Sequence, residues 1–353
     1  MNFRKVFEQY LAFVKRFIPE PMIRSSVGID IGLTSCKMVE VRHRGNTIEL
    51  VRWGIEPCNG SPEQAVKKIL ERAGQQTVSP STAVHGKGTL IRYVELPRMS
   101  PEELKKSFSY EADKYLPFNA DQIYLDCLIL DPKSKRTKMT VMIAAAKKEI
   151  INERIELFKK IGLTPDFISL NPIAMANVIN TLGIDGNEPD KVGESKEALA
   201  IVDIGEKVTN INIIYGGLPR FTRDIFTAGA DFTKQISNVL KVSMEEAESL
   251  KCNPGSRKDE VVKVCESVAL NLISDMRLSL DYFVTENNVP VKKILLAGGM
   301  SLFDGMTSLF NNYLEIDVVQ WDPFEHVAVP VGMKEEIKKV SSQLGAALGL
   351  ALY

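Results

Sequence analysis

Gly28-Ile29-Asp30-Ile31-Gly32-Leu33-Thr34-Ser35-Cys36-Lys37 carries an apolar strand into an Asp, then a Gly, then a polar turn leading to a second strand, Met38-Val39-Glu40-Val41. A strand that delivers a carboxylate to a glycine-containing hairpin turn can hold a phosphate and its metal. Gly lets backbone N–H groups approach the anion, Thr34 and Ser35 offer hydroxyls, and the Asp holds Mg²⁺ through water. Seen once, the pattern equally fits an ordinary hairpin, whose turn also favours Asp and Gly. It recurs at Val202-Asp203-Ile204-Gly205, with one strand from Ala198 to Ile204 and the next from Thr209 to Tyr215. Two such turns point to a duplicated domain whose halves clamp one nucleotide, Asp30 and Asp203 serving as metal-water ligands.

A third piece agrees with them. Lys292-Lys293-Ile294-Leu295-Leu296-Ala297-Gly298-Gly299-Met300-Ser301 is an apolar strand ending in Gly-Gly before a helical segment. Gly298 and Gly299 would let a flat base or a ribose lie against bare backbone, although a plain β–α turn uses the same residues. First phosphate turn, second phosphate turn and Ala-Gly-Gly strand end, in that order, resemble the actin/Hsp70/sugar-kinase superfamily. The resemblance implies an α/β fold of two actin/Hsp70-like (ribonuclease H-like) domains, with ATP and Mg²⁺ between them.

Composition is compatible with that architecture. At 353 residues the chain is long enough for two domains, each with its own core. Hydrophobic and charged fractions of 44% and 25% are those of a soluble globular protein. A net charge of −1 supplies no basic face for DNA or RNA. Five cysteines, odd in number and without metal spacing, fit a reducing cytosol. His43, His85 and His326 are too scattered for a zinc site. No apolar run is long enough to span a membrane.

The chain opens with Phe3, Val6, Phe7, Tyr10, Leu11, Val14, Phe17 and Ile18 at helical spacing, and Arg4, Lys5, Lys15 and Arg16 lie off the stripe. Pro19 and Pro21 stop the pattern, and its internal charges exclude a signal peptide. Residues 1–25 are therefore expected as an amphipathic helix. It lies either on an anionic membrane or a partner's groove, or else on the chain's own fold. A first domain is expected over 26–182. It begins with a meander to Ile55, then a helix opened by Ser61-Pro62-Glu63 and a strand from Ser81 to Val84. His85-Gly86-Lys87-Gly88-Thr89 lacks the first Gly and the Ser or Thr of a Walker A loop and reads as a turn. An inserted α+β subdomain is expected over about 88–150. Its strand from Ile91 to Leu96 is followed by a helix from Ser100-Pro101 to Tyr115. Strands Tyr124 to Leu130 and Lys138 to Ala145 come next, and a helix from Lys148 to Ile161 closes the unit.

Within that insertion, Glu95-Leu96-Pro97, Ser100-x-Glu-Glu-Leu104, Tyr110-Glu111-Ala112 and Tyr115-Leu116-Pro117-Phe118 resemble the PilM family of type IV pilus assembly proteins. Relatives of that family are the division protein FtsA and the cytoplasmic part of the type II secretion L protein. The resemblance covers nearly the whole chain from about residue 26. It implies an ATP-binding scaffold, cytoplasmic and peripheral at the inner face of the bacterial inner membrane. It also implies that the groove between the first subdomain and the inserted one takes the N-terminal cytoplasmic peptide of PilN. Pilus assembly ATPases and the inner-membrane platform are further implied partners.

Residues 183–197, rich in Gly, Asp, Glu and Lys, read as a linker into a second domain at 198–353, with a smaller subdomain at about 227–289. Thr227-Ala228-Gly229-Ala230-Asp231-Phe232-Thr233 opens a helix to Leu240, and Ala247-Glu248-Ser249-Leu250-Lys251 lies on another. By match to the superfamily, Gly229 and Thr233 sit near the phosphates, while Glu248 and Lys251 reach the ribose and base. Without the resemblance, Glu248 and Lys251 read as a solvated face. A helix from Asp259 to Asn287 has core spacing, Met300 to Leu314 reads as a helix, and Asp317 to Gln320 as the last strand. The Gly- and Ala-rich tail 341–353 is expected as a close-crossing interdomain helix, and Ala174 and Ala176 suit the helix it crosses.

The expected nucleotide contacts are thus Gly32, Thr34, Ser35, Lys37, Gly205, Thr209, Gly229, Thr233, Glu248, Lys251, Gly298 and Gly299, with Asp30 and Asp203 at the metal. Two features depart from the superfamily pattern. Glu206 and Lys207 stand where small or hydroxyl residues are usual, so bulk there could crowd a terminal phosphate, or Lys207 could pair with it. Ala230 replaces the second Gly of a Gly-Gly pair. ATP binding with at most slow hydrolysis is the expectation. The alternatives are an FtsA-like membrane-tethered division or secretion-system actin homologue and, further off, a small-molecule kinase. The kinase would need a general base aimed at an acceptor hydroxyl, and the first domain shows no Asp at a glycine turn beyond Asp30.

Overall fold

The computed structural model describes residues 24–45, 47–74, 79–111, 114–132, 137–184 and 197–353. The expected N-terminal helix and most of the 183–197 linker lie outside these residues. The chain begins with the meander β1 (Arg24–Ile31), β2 (Ser35–Arg44) and β3 (Thr47–Pro57), followed by α1 (Pro62–Arg72) and β4 (Ser81–Val84). Next come β5 (Thr89–Pro97), α2 (Pro101–Glu111), β6 (Ile123–Ile129) and β7 (Lys138–Lys147). The first half ends with α3 (Lys148–Lys160), β8 (Phe167–Leu170) and α4 (Asn171–Leu182).

The second half runs β9 (Ala198–Ile204), β10 (Thr209–Tyr215), β11 (Leu218–Ile225), α5 (Gly229–Leu240), α6 (Met244–Cys252) and α7 (Lys258–Asn287). It finishes with β12 (Val291–Ala297), α8 (Met306–Tyr313), β13 (Asp317–Gln320), α9 (Lys334–Lys338) and α10 (Gly345–Ala351).

Sheet order makes the duplication explicit. One sheet is β3-β2-β1-β4-β8 and the other β11-β10-β9-β12-β13. In each, three antiparallel strands are followed by two strands parallel to the first. The alternation of β1 sends Val27, Ile29 and Ile31 into a core with Ala65, Val66, Ile69 and Leu70 of α1. That helix starts where Ser61 accepts from the Gln64 N–H and Pro62 fills the first turn, where its missing N–H costs nothing. A separate three-stranded sheet, β5-β7-β6, packs under α2 through Leu96, Leu104, Phe108, Val141 and Ile143.

Two sequence expectations are corrected. The helix after β7 belongs to the first sheet rather than to the inserted one, because Phe158 of α3 is buried among Val27, Ile29 and Ile31. The expected helix from Met300 to Leu314 is broken. A single 3₁₀ turn covers Gly299–Leu302, and α8 begins only after Gly305, whose φ of +98° is foreign to a right-handed helix.

The halves meet on the tail. Every residue of α10 is buried, and the helix lies against β1 and α4 at backbone distance. A Cβ added at Gly28 would fall 2.0 Å from the Ala347 carbonyl oxygen, and one at Gly349 would fall 1.8 Å from that of Ala174. The Asn177 side-chain amide fixes the crossing by donating to the Gly349 carbonyl at 2.9 Å. Backbone bonds from Leu50 N–H to the Ala328 carbonyl (3.0 Å) and from Ala328 N–H to the Ile48 carbonyl (2.8 Å) add a second tie.

Replacing Gly349 with Ala is therefore expected to destabilise the protein by at least ~2–3 kcal/mol in urea unfolding, as overpacking does. The same change at an exposed helical glycine would instead stabilise by up to about 1 kcal/mol. A neutral Gly349→Ala variant would show that the helix crossing is not the constraint described.

Candidate functional site

In open α/β sheets the space outside the carboxyl ends of the parallel strands is where ligands collect. Here those ends from both halves open into one cavity of about 870 Å³. β1 brings Asp30 and Gly32, β4 is followed by His85, and β8 is followed by Asn171. β9 brings Asp203 and Gly205, and β12 ends at Gly298 and Gly299. All of these line the cavity.

The two turns close alike. Gly32 N–H donates to the Ser35 carbonyl at 3.0 Å, and Gly205 N–H donates to the Val208 carbonyl at 3.1 Å. Strand register then sets Lys37 opposite Asp30 and Asn210 opposite Asp203. Lys37 Nζ lies 3.1 Å from Asp30 Oδ2, and both side chains are largely buried. Asn210 instead turns its amide to Asp224 at 2.8 Å, and Asp203 takes a 3.1 Å bond from the Asn171 amide. Beneath them Arg154 donates to the Thr82 hydroxyl at 3.0 Å, and Thr82 donates to the Ile29 carbonyl at 2.8 Å.

The charges are unequally compensated. Burial alone would push the Asp30 carboxyl up, but Lys37, His85 and Arg154 outweigh it and hold Asp30 below the usual carboxylate range. Burial would depress the Lys37 ammonium, and Asp30 and Asp203 more than reverse that. Asp203 is pushed above the usual range, first by burial and then by the charge of Asp30. Lys37 and Arg154 thus favour Asp30, and Asp203 is the carboxylate left without a direct ion pair, a position that a cation would relieve.

Of the residues expected from sequence, Asp30, Gly32, Thr34, Ser35, Lys37, Asp203, Gly205, Gly229, Glu248, Lys251, Gly298 and Gly299 line this one cavity. Thr209 and Thr233 lie behind its wall. Thr209 donates to the Thr227 carbonyl at 2.8 Å, and Thr233 engages Gly229, Glu248 and Lys251. Lys251 is buried and bonds to Glu248 (2.7 Å), Thr233 (2.8 Å) and the Gly229 carbonyl (3.2 Å). Glu206 approaches Lys251 at 4.0 Å, and burial raises its carboxyl more than Lys251 lowers it. The turn at His85 to Gly88 is a turn, as read, and it lines the cavity.

Sequence reading missed His85, Asn171 and Arg154. The first two follow directly on parallel strands, a position that could have marked them; Arg154 has no comparable signal.

The arrangement suits a magnesium nucleotide. Asn171 lines the cavity, and its buried Oδ1 atom has no hydrogen-bond partner, an acceptor whose need the protein leaves unmet. Gly298, at φ +82°, sits so close to Asp203 that a Cβ would fall 2.5 Å from its Oδ1, and the surface beside it is bare backbone. No group of three or more metal-ligating side chains is present among the described residues. A divalent ion would therefore be held by Asp30 and Asp203 together with water and phosphate oxygens.

A family model described as type IV pilus assembly protein PilM matches residues 28–353. The structure of a PilM–PilN type IV pilus biogenesis complex is similar at 26% identity, with a TM-score of 0.80, covering 93% of this chain and 97% of that one. The ethanolamine utilization protein EutJ from Carboxydothermus hydrogenoformans shares the fold at 17% identity and a TM-score of 0.51, covering 98% of this chain and 97% of that one. The cell division protein FtsA of Enterococcus faecalis is 23% identical over 284 residues, 70% of this chain, and the match spans 62% of FtsA's own length.

Replacing Lys37 with Met leaves Asp30 buried and unpaired and is expected to cost ~3–5 kcal/mol in chemical unfolding. Asp203→Asn removes a repelled carboxylate and should stabilise the ligand-free protein by about 1 kcal/mol. Because folding raises the Asp203 carboxyl, that gain is absent below the usual aspartate range, where both states hold the proton. It is complete only above the raised folded value. Unfolding of both variants across acid to neutral pH checks the sign. An Asp203→Asn variant no more stable than wild type at neutral pH would contradict this account of Asp203.

Proposed function

The chain belongs to the type IV pilus assembly protein PilM family, and on that premise we propose that it is an actin-like ATP-binding scaffold of the type IV pilus inner-membrane assembly platform. In this reading ATP with Mg²⁺ occupies the cavity between the two halves. The observation that carries it is the pair of matching Asp-Ile-Gly turns on equivalent strands, facing one cavity with the bare Gly298–Gly299 strand end. Asp30 and Asp203 would hold the metal through water. Thr34, Ser35 and Lys37, with the backbone of the two turns, would hold the phosphates. Glu248 and Lys251 would face the ribose and base. The metal supplies charge neutralisation for the phosphates when bound.

The partner in this reading is the N-terminal cytoplasmic peptide of PilN, lying in the groove between the first sheet's subdomain and the inserted β5-β7-β6 unit. The similarity to a PilM–PilN complex supports PilN as the partner, and the groove is this reading's own assignment. A cytoplasmic position at the inner membrane would follow from holding a membrane protein's cytoplasmic end, and among the described residues no helix is long and apolar enough to cross a membrane. The FtsA matches favour one second reading, a membrane-tethered division or secretion-system homologue. Filament formation in a sedimentation assay would favour it.

Calorimetric titration tests the proposal. Wild type is expected to bind ATP·Mg²⁺ and, separately, the PilN peptide. Asp30→Ala and Asp203→Ala should each weaken ATP·Mg²⁺ by at least about tenfold, as loss of a residue orienting metal-bound water does. Unchanged ATP affinity in both variants would remove the two-turn clamp from the account. Any effect of ATP on peptide affinity must be matched by an equal effect of peptide on ATP affinity.

A further inference from the structure

We infer that Lys207 reads the terminal phosphate and makes this site selective for a nucleoside triphosphate over the diphosphate. The inference rests on the nucleotide reading above and goes beyond it, to a residue outside the shared pattern. The internal repeat supplies the argument. Asp30-Ile31-Gly32-Leu33-Thr34-Ser35 and Asp203-Ile204-Gly205-Glu206-Lys207-Val208 close with the same backbone bond between strands in the same register. Matching them sets Lys207 at the tip position of Thr34, and sets Asn210 where the first half has Lys37. The second half therefore carries its cation on the turn tip rather than on the following strand.

The other cations and donors around the second turn are already engaged. Lys37 pairs with Asp30, and Lys251 pairs with Glu248. The first N–H groups of α5 are taken internally, Gly229 by the Gly205 carbonyl at 2.9 Å and Ala230 by the Glu206 carbonyl at 2.8 Å. This helix start thus offers neither N–H to a phosphate. Among the described lysines lining the cavity, Lys87 and Lys207 make no ion pair, and Lys207 is exposed on the turn itself. A third phosphate brings extra negative charge into a cavity already lined by Asp30, Asp203, Glu206 and Glu248, so a free ammonium beside it weighs most on that phosphate.

The experiment is a calorimetric comparison of ATP·Mg²⁺ and ADP·Mg²⁺ on wild type, Lys207→Ser and Lys87→Ser. Wild type should prefer ATP·Mg²⁺ by roughly tenfold, the size of one charge-assisted contact. Lys207→Ser should abolish that preference while ADP·Mg²⁺ affinity stays within about twofold, and its melting temperature should match wild type because the side chain is exposed. A preference that survives Lys207→Ser, or equal losses for both nucleotides, overturns the inference while leaving nucleotide binding intact. Loss of the preference in Lys87→Ser alone would assign the reading to Lys87 and overturn it too. Failure of wild type to bind either nucleotide would remove the underlying nucleotide reading, and this inference with it.

Discussion

A buried carboxylate, Asp30, and a half-buried one, Asp203, share the field of Lys37 where the sheets of the two halves meet. Each is placed there by the same local grammar, an apolar strand followed by an Asp-Ile-Gly turn, and neither half alone would create the conflict. Lys37 favours Asp30 by direct contact, and Asp203 is left to an amide from Asn171. The imbalance is a standing cost to the ligand-free fold and a standing attraction for a cation. Strain of this kind persists only when the surrounding structure over-determines the geometry. The surroundings that do so are the registers of β1 with β2 and of β9 with β10, and the Arg154–Thr82 chain that braces Ile29 from below.

The same surroundings depend on small residues at the seam. α10 reaches β1 and α4 at backbone distance because Gly28 and Gly349 present nothing to hold it away. Gly345 does the same against Trp321, where an added Cβ would fall 2.5 Å from the ring. The strand that carries the first Asp-Ile-Gly turn is thus seated on one short helix, two of whose residues, Gly345 and Ala346, line the cavity. Contact between backbones is intolerant of volume in a way that side-chain packing is not.

Much of this was legible in the chain itself. The duplicated fold could be read because Asp30 and Asp203 sit in repeated patterns whose strand alternation is strong. The tail could be read because a run of Gly and Ala beside apolar residues fits only a close crossing. What escaped was information that sequence spacing does not contain. His85 and Asn171 reach the cavity through parallel strands brought from distant parts of the chain. Arg154 lies on a helix that sequence order assigned to the insertion and that packing assigns to the first sheet. The break at Gly305 was hidden because one glycine in an otherwise helical pattern does not announce a positive φ. Thr209 and Thr233 stand apart from the other expected contacts. Residue type and position suggested ligand contacts, yet both hydroxyls serve carbonyls and side chains inside the wall.

The pairing of Ile48 and Leu50 with Ala328 joins the edge of the first sheet to a segment of the second half, and none of these residues lines the cavity. Two short backbone bonds side by side resist translation but permit twisting about the line between them. Together with α10 they join the two halves. Asp30 stands only two residues beyond Gly28, so the same helix crossing that joins the halves also fixes the strand that carries the first carboxylate.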